Sequence, residues 1–181
     1  MTGWMTIAEA LERQLLEEAI VMTLDQADRD EIEPEVVRVA RNYTDAKVAH
    51  SRYSAPGRSR EDVVRQGFGG ELAVARWSGL PWNRGNAKKA DVGADVEVRS
   101  VRSSARIRRL PVYDFDKPGR RFVLALGDLP TYSLVGWIEH REAVVFDFWH
   151  PRNAVVDGVR LDLGRWLVPI VDLHPIRRFA R

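Results

Sequence analysis

The stretch DVGADVEVRS, residues 91–100, places three carboxylates and one guanidinium within nine residues. They belong to Asp91, Asp95, Glu97 and Arg99. Carboxylate oxygens are the ligands that Mg²⁺ and Mn²⁺ prefer in proteins. An ion of this kind can activate water and stabilise the charge that develops on a phosphate during hydrolysis. The residues therefore suit a hydrolytic metal site, and the simpler alternative is a surface strand that carries solubilising charge.

The alternation of apolar and charged residues in ADVEVRSV predicts a β-strand. Successive side chains of a strand point to opposite faces, so we expect Val96 and Val98 to enter the core. Asp95, Glu97 and Arg99 then share the opposite face. The simpler explanation for such a charged face is that it is exposed to solvent and pairs with a residue of a neighbouring strand.

Two further carboxylates can reach this strand. Asp91 lies one short turn upstream, and the residues VGA give the flexibility to bring it beside Glu97. Glu71 lies in the preceding predicted helix and is the obvious third carboxylate. We predict Asp91, Glu97 and Glu71 as the metal ligands, with Asp95 as an alternative ligand.

The helix that carries Glu71 has clear start and stop signals. Ser59 and Asp62 resemble a capping box at its beginning, and Gly79 lies where the apolar pattern ends. Three glycines lower the helix propensity of its middle, yet they also permit the close approach of another backbone or a ligand. They are Gly67, Gly69 and Gly70.

The sequence predicts helices in the first part of the chain and mostly strands in the rest. Apolar residues at helical spacing predict an amphipathic helix over residues 4–30 and a second over residues 34–53, separated by DRDEIEPE. The later segments alternate with period two or, as in RRFVLALGD, read as a strand buried on both faces. The expected fold is α/β (α+β), with a mixed four- to five-stranded sheet flanked by helices. We expect a helical extension over residues 1–56 and a core domain over residues 57–181.

The positive charge is concentrated in one part of the chain. Residues 1–35 carry a net charge of −8, from ten acidic and two basic residues, so the remaining residues carry +10 within the total of +2. Such positive charge suits binding to the phosphate backbone of a nucleic acid. The alternative is that it only reflects an arginine-rich composition. The predicted nucleic-acid-binding residues are Lys88, Lys89, Arg102, Arg106, Arg108 and Arg109.

The order of these motifs resembles the PD-(D/E)XK nuclease superfamily, which has the restriction-endonuclease-like fold, and in particular its small phage and bacterial members. Asp91 matches the first acid of that pattern, Glu97 matches the acid of E-x-K, and Glu71 matches the glutamate of the first core helix. The resemblance covers about residues 59–138. It implies a Mg²⁺- or Mn²⁺-dependent deoxyribonuclease in which Glu71, Asp91, Glu97 and Arg99 are the catalytic residues.

Arg99 departs from the pattern, because the superfamily usually has lysine there. Arginine stays protonated, so Arg99 could stabilise a phosphate electrostatically but could not serve as a general base. Lys88 and Lys89 could reach the same site, or they could be solvated loop residues. The alternative function is therefore a catalytically inactive relative that binds nucleic acid or assembles with proteins.

Composition limits the remaining possibilities. The 181 residues include no cysteine, which excludes disulfides, a thiolate zinc site and a cysteine nucleophile. We expect no signal peptide and no membrane segment, and hence a cytoplasmic protein of a bacterium or a phage-infected cell. The expected partners are DNA and a second protomer or another protein, bound through the acidic N-terminal helices.

Overall fold

The computed structural model describes residues 6–42, 58–86 and 88–179. Its α-helices are α1 Ile7–Glu17, α2 Gln26–Asn42, α3 Arg60–Ser78 and α4 His140–Ala143. The longer strands are β1 Ile20–Thr23, β2 Val96–Val101, β3 Leu110–Val112, β4 Arg121–Asp128 and β5 Thr131–Glu139. The shorter ones are β6 Trp149–His150, β7 Val155–Val156, β8 Val159–Arg160, β9 Arg165–Val168 and β10 His174–Pro175. Within the described residues, single turns of 3₁₀ helix cover Phe146–Phe148, Ile170–Asp172 and Ile176–Arg178.

The main sheet has five strands, in the order β1-β5-β4-β2, with β10 also pairing with β5. Strands β2 and β4 run parallel, whereas β1, β4 and β10 are antiparallel to β5. The predicted mixed α/β architecture with a mixed sheet is therefore confirmed. Strand β2 ends the order, so its outer edge is open to the segment that carries Asp91.

Each face of the sheet has its own core. Helices α2 and α3 cover one face, where Val96, Val98 and Val123 are buried among apolar residues of both helices. Helix α1 and strands β3 and β9 cover the other face, where Phe122 and Leu124 are buried. Strand β4 is buried on both sides, which explains its nearly continuous apolar sequence.

The prediction of one helix over residues 4–30 is wrong. Helix α1 ends at Glu17, and Ile20–Thr23 forms β1, which pairs with residues 131–134 of β5. The β-branched residues of this segment favour a strand once a sheet edge is available. Helix α2 then begins at Gln26 and continues through Pro34, so Pro34 does not start the second helix as predicted.

The end of the predicted second helix, residues 43–53, lies outside the described residues. The boundary proposed between residues 56 and 57 stays a prediction. The chain before it contributes β1 to the main sheet and α2 to the helical layer. Ion pairs hold α2 on α3, because Arg65 contacts Glu33 at 2.6 Å and Arg76 contacts Asp28 at 2.7 Å.

The prediction of the third helix is confirmed at both ends. Ser59 Oγ accepts a hydrogen bond from the Asp62 amide, and Gly79 ends α3 in the left-handed conformation with φ of 73°. The glycines in its middle allow side chains of the sheet to approach. The Tyr132 ring lies against Gly69, the Ser100 hydroxyl lies against Gly70, and Gly67 has open space beside it.

We expect Gly69→Ala to lower the free energy of unfolding by about 1–3 kcal/mol, the range typical of overpacked cores. The new methyl group would overlap the hydroxyl end of Tyr132, which is fully buried and donates a hydrogen bond to the Gln66 carbonyl at 3.0 Å. Gly67→Ala is the matched control in the same helix, and it should raise stability by about 0.5–1 kcal/mol. Urea unfolding of both variants checks this, and equal effects would contradict it.

Candidate active site at the edge of strand β2

Asp91 lies at the outer edge of β2. Val92 pairs with Val96 through two backbone hydrogen bonds of 3.0 and 3.2 Å, so the chain folds back along the strand. Gly93, with φ of 58°, makes this turn possible. As a result the Asp91 Oδ2 atom accepts a hydrogen bond from the Val98 amide at 2.8 Å. The carboxylate thus accepts the hydrogen bond that the backbone carbonyl of a neighbouring strand would accept in a wider sheet.

Glu97 and Arg99 lie on the face of β2 that points away from α3. Val96 and Val98 are buried in the core beneath α3, at 0% and 7% exposure, so the predicted division of the strand is confirmed. The side chain of Glu97 keeps 18% of its surface exposed, and that of Arg99 keeps 15%. The alternation of apolar and charged residues in the sequence of β2 therefore places Glu97 and Arg99 on the same face of the strand.

Glu71 reaches the same edge from α3. Its side chain is 8% exposed, and its Oε2 atom accepts a hydrogen bond from Trp82 Nε1 at 2.9 Å. Trp82 is positioned by pairing with Val92, the residue that follows Asp91. Helix α3 thus contributes Glu71, the outer edge of β2 contributes Asp91, and the face of β2 that points away from α3 contributes Glu97. We term these three carboxylates the acidic cluster.

The acidic cluster holds protons more tightly than ordinary carboxyl groups do. Burial and the nearby charge of Asp91 raise the pKa of Glu97 from 4.5 to about 7. Burial and Asp91 likewise raise the pKa of Glu71 well above its usual range. Burial also raises the pKa of Asp91, against the opposing effects of Arg99, the Val98 amide and a hydrogen bond with Glu97. All three pKa values are therefore raised, and that of Glu97 lies close to neutral pH.

Arg99 is the cation at the centre of the site. Its Nη2 atom lies 2.6 Å from Asp116 Oδ2, its Nε atom donates to the Pro111 carbonyl at 3.0 Å, and its Nη1 atom lies 3.7 Å from Glu97 Oε2. The guanidinium also lies over the Phe122 ring, 5.0 Å from its centroid. Burial opposes its charge, but Asp116 and Asp91 raise the pKa of Arg99 above its ordinary value.

Sequence reasoning missed three residues of this site: Asp116, Arg120 and Trp82. The side chain of Asp116 is 7% exposed and contacts Arg99, while Arg120 Nε lies 3.6 Å from Glu97 Oε1 and its Nη1 donates to the Ala94 carbonyl. Counted with the acidic cluster, the described site has four carboxylates and two guanidiniums, a net charge of −2 if all are ionised. That excess adds to the effect of burial on the pKa values of Glu71 and Glu97, and one divalent cation would neutralise it.

The carboxylates are not arranged as ligands of one ion. Among residues 6–42, 58–86 and 88–179, no group of three or more His, Asp or Glu side chains has a metal-binding arrangement. The hydrogen bonds of Glu71 with Trp82 and of Asp91 with Val98 account for the orientation of two of them. The donor set nevertheless has the chemistry that Mg²⁺ prefers.

Asp95 does not join the acidic cluster, contrary to the alternative raised from the sequence. Strand β2 begins at Val96, and Asp95 binds Arg121 through two hydrogen bonds of 2.8 and 2.9 Å. Arg121 is the first residue of β4 and lies opposite Val96 in the parallel register. The ion pair therefore closes the start of the β2–β4 ladder.

The predicted nucleic-acid-binding residues are dispersed around the site. Lys88 and Lys89 are exposed in the loop before Asp91, and neither side chain bonds to another described residue. Arg102 pairs with Asp128 at 2.6 Å and Arg109 with Asp157 at 3.5 Å. Arg106 is exposed, and Arg108 is exposed beside the acidic side chains of α1, where a depression is lined by Glu9, Glu12 and Glu17. Their role in binding nucleic acid stays a prediction.

We expect Glu97→Gln to raise the melting temperature at pH 8 by a few degrees and to leave it almost unchanged at pH 5. Protonated Glu97 contributes stability that is complete below pH 4.5 and is lost as the pH rises through about 7. Glutamine imitates the protonated form and so removes that loss. Thermal unfolding between pH 5 and pH 8 checks this.

Glu142→Gln is the control with the opposite sign. Burial opposes the charge of Glu142, but hydrogen bonds from the Glu139 amide and His174 lower its pKa below the ordinary value. The ionised form of Glu142 therefore stabilises the fold, and its replacement should lower the melting temperature at pH 8. A Glu97→Gln variant that behaves in the same way would contradict the electrostatic account of the acidic cluster.

Comparison of the chain with protein-family models, curated proteins and solved structures gives no match. None of the helices in the described residues has the length and apolar character required to cross a bilayer. The assignment of a function therefore depends on the geometry of the site itself.

Proposed function

We propose that the protein is a metal-dependent DNA nuclease with a restriction-endonuclease-like core. The observation that carries the proposal is the acidic cluster beside Arg99. Helix α3 brings Glu71 to the sheet edge where the turn before β2 and β2 itself place Asp91 and Glu97, at a cost in desolvation that raises all three pKa values. Perturbed carboxylates of this kind are typical of functional sites rather than of surface charge.

The acidic cluster would hold Mg²⁺ or Mn²⁺, which supplies an activated water and charge stabilisation for phosphodiester hydrolysis. The cation would offset the excess charge of −2, and the three carboxylates must lose their protons to bind it. Because the pKa of Glu97 is about 7, Glu97 loses its proton near neutral pH. Arg99, which stays protonated, would stabilise the phosphate electrostatically and cannot accept a proton from water.

The second candidate function is a relative that binds nucleic acid or assembles with proteins without cleaving. The partners of Arg99 favour it, because its guanidinium is already engaged by Asp116 and the Pro111 carbonyl. The hydrogen-bonded orientations of Glu71 and Asp91 point in the same direction. Both candidates share the basic residues of the segment 99–121, so DNA binding alone does not separate them.

A cleavage assay separates the two candidates. Supercoiled plasmid and a linear fragment are incubated with the full chain in Mg²⁺, in Mn²⁺ and in EDTA. Nicking or linearisation that needs metal and increases from pH 6 to pH 8 at limiting Mg²⁺ supports the nuclease. Retention of DNA that weakens with salt, without cleavage under any of these conditions, supports the inactive relative. If the protein neither retains nor cleaves DNA, both candidate functions are refuted.

A further inference from the structure

Trp82 lies in the loop between α3 and β2, the same loop that carries Asp91. Its Nε1 atom donates a hydrogen bond of 2.9 Å to the Oε2 atom of Glu71, which is 8% exposed. Among the described residues, no other group donates a hydrogen bond to the Glu71 carboxylate. A buried carboxylate needs such a donor, because an unsatisfied polar group inside a protein is costly. The orientation of Glu71 therefore depends on Trp82.

The indole of Trp82 is itself held in place. Its ring packs edge-on against Phe68, with ring centroids 5.7 Å apart, and the guanidinium carbon of Arg84 lies 5.8 Å from its centroid. Its backbone pairs with Val92 in an isolated antiparallel bridge. A donor that is fixed by packing and by its backbone determines where its acceptor lies, whereas a donor free in solvent would follow the acceptor.

Asn83 fixes the loop between Trp82 and Asp91. Its Nδ2 atom donates hydrogen bonds to the carbonyls of Ala90 and Gly93 at 2.8 and 2.7 Å. Its amide donates to the Asp91 carbonyl at 3.0 Å. The loop thus positions one carboxylate of the acidic cluster through the main chain and a second through the indole.

An indole is a suitable donor to a ligand of a cation. Its N–H group is uncharged and can only donate, so it orients a carboxylate without neutralising it. A lysine or arginine in its place would compete with the cation for the same charge. The bond uses Oε2 of Glu71 and leaves Oε1 without a hydrogen bond from the described residues, while Asp91 and Glu97 are close enough for their charges to act on this carboxylate.

We infer that Trp82 is a positioning residue of the proposed metal site, which holds the Glu71 carboxylate so that its Oε1 atom is presented to the cation. This inference rests on the proposed function and extends it to a residue that contacts neither the metal nor the DNA. Groups that hydrogen-bond to metal ligands typically contribute roughly 10- to 100-fold to metal affinity. Loss of the indole N–H should therefore weaken the binding of the cation.

Direct binding of Mn²⁺ tests the inference without cleavage. Isothermal titration calorimetry at pH 8 compares the native full chain with Trp82→Phe, which keeps an aromatic ring against Phe68 but has no N–H group. We expect Trp82→Phe to bind Mn²⁺ roughly 10- to 100-fold more weakly. In the cleavage assay the Mn²⁺ concentration for the half-maximal rate should rise by a similar factor, whereas the rate at saturating Mn²⁺ should change by less than about threefold.

Trp137→Phe is the matched control, because it makes the same substitution on β5. The Nε1 atom of Trp137 is buried and donates no hydrogen bond to any described residue, so this variant removes an N–H group that orients no carboxylate. Its affinity for Mn²⁺ should equal that of the native protein. Equal weakening by both substitutions would show a general loosening of the fold and would overturn the inference.

A double-mutant cycle separates positioning from support of the fold. Glu71→Ala removes the carboxylate that Trp82 orients, so adding Trp82→Phe to it should weaken Mn²⁺ binding no further. A second loss of the full size, or unchanged binding by Trp82→Phe alone, would overturn the inference. Tighter binding by Trp82→Phe would also overturn it, because Trp82 would then hold Glu71 away from the cation.

The native protein distinguishes failure of this inference from failure of the proposed function. If the native chain binds no Mn²⁺, the nuclease and the role of Trp82 are both refuted. If the native chain binds Mn²⁺ and cleaves DNA, and Trp82→Phe does so with the same affinity, only the role of Trp82 is refuted.

Discussion

Glu97→Gln should abolish metal-dependent DNA cleavage while the protein stays folded, and Asp91→Asn should also abolish cleavage. A loss of at least about a thousandfold is expected, equivalent to roughly 4 kcal/mol of activation free energy. Each amide removes one negative charge from the acidic cluster and so removes much of the reason for a divalent cation to bind. The assay is single-turnover cleavage of a labelled strand at pH 8 in saturating Mg²⁺.

Stability distinguishes this loss from unfolding. Glu97→Gln is expected to melt at a higher temperature than the native protein at pH 8, since burial and Asp91 disfavour the ionised carboxylate. A variant that is more stable yet inactive shows that the native carboxylate is kept for function, a trade-off common at active sites. If the variant is less stable and also cleaves more slowly, destabilisation accounts for the lost cleavage, which contradicts a catalytic role for Glu97.

Asp95→Asn is the matched control for these variants. Asp95 lies in the same acidic stretch, but its carboxylate binds Arg121 rather than the acidic cluster. Its replacement should leave the rate of cleavage within about twofold and lower stability only slightly, as expected for a partly exposed ion pair. Loss of cleavage with Asp95→Asn would show that the site is placed wrongly along the strand.

The parts of this fold that were predictable from the sequence depend on neighbouring residues. The alternation from Val96 to Arg99 is a property of any half-buried strand, and it correctly divides core from site. The capping residues of α3 likewise act within one turn of the helix. Such signals are encoded within a few residues, so no knowledge of the distant chain is needed.

The parts that were missed depend on contacts between distant residues. The helical pattern of residues 4–30 gave no sign that Ile20–Thr23 would pair with β5, more than a hundred residues away in the sequence. Asp116 enters the site only because its loop returns to Arg99. Its position among many basic residues was the one available signal, since a buried acid is expected to pair with one of them.

Arg99→Ala is expected to lower the free energy of unfolding by about 3–5 kcal/mol, because it leaves a buried charge without its partner. The side chain of Asp116 is 7% exposed and would lose a contact of 2.6 Å, while Asp91 and Glu97 would lose the favourable charge of Arg99. Chemical denaturation at pH 8 measures the effect. Arg102→Ala is the control, and its pair with Asp128, with side chains 46% and 35% exposed, should contribute less than about 1 kcal/mol.

The double variant Arg99→Ala with Asp116→Asn identifies the cause of that loss. If the unpaired carboxylate is responsible, the double variant should be more stable than Arg99→Ala alone, since the two side chains are in direct contact. If the double variant is less stable than Arg99→Ala, the loss comes from packing of the guanidinium against Tyr113 and Phe122 instead.

Arg99→Lys then decides between a working and an inactive enzyme. The ammonium keeps the charge but cannot contact both the Pro111 carbonyl and Asp116 in the geometry of the guanidinium, so stability should fall by less than in Arg99→Ala. If the native protein cleaves DNA and Arg99→Lys cleaves more slowly, the guanidinium is the catalytic cation. If only Arg99→Lys cleaves, the native chain is an inactive relative in which Arg99 has exchanged catalysis for the structural pairing with Asp116.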